Sequence, residues 1–97
     1  MKKLCVANWK MNMGSIDSSQ YIQKIINSNC LSNEIKMIIC PPFTLIESMI
    51  MKLSDIRIDV GAQNMSHNKS GPYTGEISPS MLIDLNCKWV ILGHSER

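Results

Sequence analysis

Four short apolar runs, separated by amphipathic stretches, set the tightest limit on how this chain can fold. They are Leu4–Trp9 (LCVANW), Lys36–Cys40 (KMIIC), Ile56–Ala62 (IRIDVGA) and Lys88–Gly93 (KWVILG). Three of them are continuous and suit strands buried on both faces. The third alternates Ile56, Ile58, Val60 and Ala62 with Arg57, Asp59 and Gly61, the period of a strand. Between the first two runs, Tyr21, Ile22, Ile25 and Ile26 recur at helical spacing. Ser15 or Asp17 can cap this helix, which the sequence carries to about residue 28. Pro41-Pro42 stops the second strand, and Leu45, Ile46, Met49, Ile50 and Leu53 mark one face of a second helix. Ser78-Pro79 reads as a helix start, with Ser as N-cap and Pro at the first helical position. Met81, Leu82 and Leu85 give that third helix its apolar face. The predicted order is β-α-β-α-β-loop-α-β. It belongs to the α/β class, with parallel strands and right-handed crossovers. Periodicity leaves two architectures open: a small doubly wound sheet, or the first half of an eight-stranded barrel.

Composition narrows function by exclusion. The chain has 97 residues, 44% of them hydrophobic and 19% charged, an ordinary balance for one globular domain. Its ten Lys and Arg residues are scattered, so nothing favours nucleic-acid binding. No run reaches membrane-spanning length, and Asn8 and Lys10 interrupt the N-terminal apolar segment too early for a signal peptide. Cys5, Cys30, Cys40 and Cys87 form no C-x-x-C and have no His at ligand spacing. Buried free thiols in a reducing compartment, the cytoplasm, are the expectation.

In either α/β architecture, ligands bind beyond the carboxyl ends of the strands. Those ends read Asn8-Trp9-Lys10, Cys40-Pro41-Pro42, Gly61-Ala62-Gln63-Asn64 and Gly93-His94-Ser95-Glu96-Arg97. The polar and reactive residue types therefore gather on one edge. Asn8 and Lys10, two apart in extended chain, point to the same side. On spacing alone, a turn Asn and a solvated Lys is the simpler reading. His94 suits the rim of a site, although a lone His is more often structural. Glu96 and Arg97 read most simply as a solvated pair, His67 as exposed, and Trp9 and Trp89 as core or interface residues. Lys and amide donors converging with a His suit an oxyanion and proton transfer. No nucleophile motif, P-loop or dinucleotide fingerprint is present. Polar chemistry on a small anionic carbonyl compound is the reading the residues give unaided. The segment at about 65–77 is long for a βα loop, and such loops are often functional.

Four segments resemble triosephosphate isomerase in order and spacing: ANWKMN at 7–12, GAQN at 61–64, GPYTGEIS at 71–78 and VILGHSER at 90–97. The resemblance covers the chain and implies the N-terminal half of a (β/α)8 barrel, the first four strands and three helices. Residues 1–97 would then be a single, incomplete domain. It implies interconversion of dihydroxyacetone phosphate and D-glyceraldehyde 3-phosphate through an enediolate, in glycolysis and gluconeogenesis, with no cofactor or metal. By the same resemblance, Asn8 and Lys10 contact the substrate, and Lys10 supplies positive charge. His94 polarises the carbonyl and moves a proton between its oxygens. Glu96 positions the lysine, and Ser95 lies near the catalytic base. The long loop reaches into the partner of a homodimer, with Thr74 at its tip and Glu76 pairing with the partner's Arg97. Tyr73 becomes buried on dimerisation. The family's catalytic glutamate, lid and phosphate-binding loops match nothing here, so this polypeptide alone is expected to be inactive. The competing class is a non-enzymatic phosphate-binding or interaction module with an open sheet; a different phosphate-handling barrel is the other alternative.

Overall fold

The structure is a computed structural model that describes residues 3–28 and 34–94. Its elements are β1 (Lys3–Asn8), α1 (Ser15–Ser28), β2 (Ile35–Cys40), a 3-10 turn (Phe43–Leu45), α2 (Ile46–Lys52), β3 (Ile58–Ala62), α3 (Pro79–Asp84) and β4 (Trp89–Val90). The strands are parallel and lie in the order β1-β2-β3-β4. That order decides between the two architectures. A doubly wound sheet reverses its strand order at a switch point. Here each strand is added beside its predecessor, and right-handed crossovers then place the helices on one face. The result is a curled sheet, the N-terminal half of a (β/α)8 barrel.

Local chemistry explains most boundaries. Ser78 caps α3 as expected, its Oγ accepting from the Met81 N–H at 3.3 Å, with Pro79 following. At α1 the expectation fails. Ser15 is already helical and Asp17 lies in the first turn, while Gly14 C=O accepts the Ser18 N–H at 3.0 Å. Neither residue stands at the cap position. β3 starts at Ile58, two residues later than the alternation suggested, because Ile56 N–H bonds back to Leu53 C=O at 3.0 Å and closes a turn. β4 covers two residues instead of six. It pairs on one side, against β3, and beyond Val90 Ile91 N–H donates to Ala62 C=O at 2.9 Å.

The two faces of the sheet differ. Ile39, Ile58, Val60 and Ala62 pack with Trp9, Ile22, Leu45, Ile46, Met49, Leu53 and Leu82 in one buried cluster beneath the helices. Each fully buried aliphatic side chain there contributes about 1.5–3 kcal/mol. Residues alternating with these, namely Leu4, Val6, Lys36, Ile38, Asp59 and Gly61, line the inside of the curl. Leu4 and Val6 are 58% and 51% exposed there. Ile26 and Met81, expected on apolar helix faces, are also exposed. Cys40 and Cys87 are buried free thiols, but Cys5 is exposed because β1 is an outermost strand. Cys30 lies outside the described residues. No helix among the described residues is long and apolar enough to cross a membrane.

Candidate active site

The carboxyl ends of β1, β2 and β3 are tied together by side chains. β1 ends at Asn8, and the chain then turns sharply: Lys10 has φ +54°, a left-handed conformation that a residue with a Cβ rarely adopts. Its neighbours hold it there. Asn8 Oδ1 accepts the Lys10 N–H at 2.9 Å, a side-chain turn typical of Asn. Gln63 Nε2 donates to Lys10 C=O at 2.7 Å and to Cys40 C=O at 3.0 Å. Asn12 Nδ2 donates to Trp9 C=O at 2.9 Å, and Trp9 N–H donates to Cys40 C=O at 3.0 Å. Trp9 itself is buried and meets Tyr21 edge-on, with centroids 5.3 Å apart at 82°.

This geometry corrects one expectation. Asn8 and Lys10 do not share a side through extended backbone, because the strand stops at Asn8 and Lys10 is left-handed. The turn reading of Asn8 and the strand-end placement of Lys10 hold together, since the Asn makes the turn that carries the Lys. The Lys10 side chain is exposed at the sheet edge. His94 is half-buried and follows Gly93, whose φ of +66° turns the chain after β4. Asn8, Lys10 and His94 thus lie at the same edge of the sheet. Ser95, Glu96 and Arg97 lie outside the described residues.

Gln63 is the residue that sequence reasoning missed. A Gln after a buried strand has no local mark that separates it from a solvated one. Its role depends on β2 and β1 lying beside β3 in this register. Cys40, just below, has its thiol pushed up to about 11, chiefly by burial, with Cys87 adding to the rise and the Gly61 N–H opposing it. A thiol in that state is no nucleophile at neutral pH. Among the described residues, no three His, Cys, Asp or Glu side chains come together as a metal site would need.

The loop between β3 and α3 is closed at its neck by Ser66 N–H donating to Ile77 C=O at 2.7 Å. Its tip, residues 71–76, is exposed, including Thr74, Glu76 and Tyr73. Tyr73 folds back over Gly71, where a Cβ would meet the ring at 2.6 Å, so Gly71 is needed both for this contact and for its φ of +134°. His67 is exposed, as expected.

A parallel sheet wound in one direction, with amide, ammonium and imidazole groups at its carboxyl edge, defines part of a TIM barrel. The sequence says which one. The model of the family described as Triosephosphate isomerase matches residues 3–97, and the chain belongs to that family. It is 54% identical to the triosephosphate isomerase of Wolbachia sp. subsp. Brugia malayi, covering 100% of this chain and 40% of that protein. Against the Wolbachia pipientis wMel enzyme it is 52% identical, covering 100% and 39%. Identity to the Dictyoglomus thermophilum protein is 47%, covering 99% and 39%. The chain therefore spans about two fifths of the length of these relatives.

Proposed function

We propose that the complete protein interconverts dihydroxyacetone phosphate and D-glyceraldehyde 3-phosphate through an enediolate. The proposal includes a homodimer working in the cytoplasm, in glycolysis and gluconeogenesis, without metal or cofactor. Family membership supports the reaction. The observation that carries the site is the left-handed Lys10, held at its N–H by Asn8 and at its C=O by Gln63. A long, flexible Lys is a diffuse charge unless its backbone is fixed; this one leaves the sheet from a rigid point. Its ammonium stabilises the substrate phosphate and the negative charge that grows on the enediolate oxygen. His94 donates to the carbonyl oxygen and moves a proton between the two oxygens of the intermediate. Asn8 adds polar contact to substrate beside Lys10, Glu96 positions the lysine, and Ser95 lies close to the base. Thr74 and Glu76 extend toward the partner subunit on the exposed loop tip, Glu76 toward its Arg97, and Tyr73 is covered there.

The α-proton must leave on a base, and the family's glutamate base matches no residue of this chain. The 97-residue polypeptide, one incomplete barrel domain, is therefore inactive by itself. The test uses the complete polypeptide encoded by the gene. Lys10→Ala is expected to remove measurable turnover of glyceraldehyde 3-phosphate while the circular dichroism spectrum stays unchanged. A near-normal rate in that variant would refute the role given to Lys10. Turnover by purified residues 1–97 near the rate of the complete protein would refute the need for the missing base.

A further inference from the structure

His94 follows β4, past the Gly93 turn, and β4 is the strand that the main chain holds least. The β1–β2 ladder has six residue pairs and the β2–β3 ladder three, while β3–β4 has two, Gly61↔Trp89 and Ala62↔Val90. Side chains supply what the ladder lacks. Trp89 Nε1 donates to Asp59 Oδ2 at 2.7 Å. Lys36 Nζ lies 3.1 Å from the same oxygen and keeps the carboxylate turned inward. Asp59 stands two residues before Gly61, so the indole must lie back over β3 to reach it. Gly61 lets β4 approach closely beside it: a Cβ there would meet Cys40 Sγ at 2.8 Å, Trp89 Cβ at 3.0 Å and Trp89 O at 3.3 Å. The fit is specific to register. A one-residue slip sends the indole to the other face, and a two-residue slip takes it away from Asp59.

We propose that Asp59 is a positioning residue for His94: by holding the Trp89 indole, where Gly61 lets β4 approach β3 closely, it fixes the register and tilt of β4. The inference rests on the isomerase reading, because it gives His94 its task. Asp59 lies on the inside of the curl, two residues before Gly61 and so below the carboxyl edge of the sheet. Its effect reaches the site through the strand. A shift of β4 by a fraction of an ångström moves the imidazole against the carbonyl it must polarise, and misplacement of that order is costly in rate.

The experiment compares Asp59→Leu, Trp89→Phe, the double variant and Asp59→Asn in the complete polypeptide. Asp59→Leu and Trp89→Phe each lower kcat about tenfold with KM within about twofold. The double variant falls no further than either single, since both break one contact. Asp59→Asn, which keeps an oxygen acceptor for the indole, recovers most of the loss. Singles with unchanged kcat, losses that multiply, or an Asn variant as poor as Leu would each overturn the proposal. Should Asp59→Leu fail to fold, Trp89→Phe against Asp59→Asn decides. The His94 imidazole NMR signals give a readout that does not depend on turnover. They shift alike in Asp59→Leu and Trp89→Phe and return in Asp59→Asn; signals that stay put in all variants refute the positioning. A protein without isomerase activity but with shifting His94 signals would refute the functional reading and leave the lock standing.

Discussion

The two faces of the sheet solve the same problem in different ways. On the helix side, β-branched and aliphatic residues of β2 and β3 interlock with α1 and α2, and Ile39 and Met49 are completely buried. On the inner side no helix arrives among the described residues. Ile38 and Cys40 are buried at its centre, the Trp89–Asp59–Lys36 contact lies partly exposed beside them, and Leu4 and Val6 at the β1 edge remain open. Apolar packing closes one face, and a partly exposed polar contact with a shape requirement spans part of the other. The first is tolerant of sequence as long as volume is conserved. The second needs particular atoms, an indole N–H, a carboxylate and a missing Cβ.

The sharpest break in this comparison comes from chain length. In the 97-residue polypeptide, Ile39→Ala is expected to cost about 2–5 kcal/mol in urea denaturation, because it opens a cavity in a fully buried cluster. Leu4→Ala should change stability by less than about 0.5 kcal/mol there, since its side chain is largely in water. In the complete protein, where a closed barrel would cover the inner face, Leu4→Ala is expected to approach the Ile39→Ala value. Equal effects in the short polypeptide would show that something already covers the β1 edge.

Thiol chemistry probes the same boundary. With its thiol pushed up to about 11, Cys40 is thiolate to about one part in ten thousand at pH 7. Peptide-resolved alkylation should label exposed Cys5 at least about a hundredfold faster than buried Cys40. Comparable rates would mean that the centre of the inner face opens freely.

The smallest effect is acid sensitivity. Burial pushes the Asp59 carboxyl up, but hydrogen bonds from Trp89 and Lys36, with the charges of Lys36 and Lys88, outweigh it and leave the group below its ordinary value of 3.8. A carboxyl lowered on folding adds stability that is present above the unfolded value and lost as pH falls through the folded one. Asp59→Asn should therefore reduce the acid-induced loss of stability below about pH 4, and leave the pH dependence above pH 5 unchanged. A variant as acid-sensitive as the parent would show that the ion pair is too solvated to matter.

Much of this was legible in the sequence because the controlling interactions are local. The Ser78-Pro79 cap joins residues three apart, and the α2 face repeats every turn. The strand-end positions of Asn8, Lys10 and His94 follow from where apolar runs stop. The misses share a cause. Extended chain would put Asn8 and Lys10 on one side, but a hydrogen bond spanning two residues bends it. The apolar run of β4 predicts six strand residues, but among the described residues its later members have no second strand to pair with. Gln63 looked like any polar residue after a strand.

The amino-acid sequence alone determined the alternation of strands and helices, the edge on which reactive groups collect and, through four spaced motifs, the family. Tertiary structure decided the rest. Strand order chose a curled half-barrel over a doubly wound sheet, because winding direction is a relation between elements and leaves no mark in the periodicity of any one. It also set the grip of Gln63 on Lys10, 53 residues away, and the reach of Trp89 to Asp59, 30 residues away. Both contacts exist only because the parallel register brings distant residues within hydrogen-bonding range.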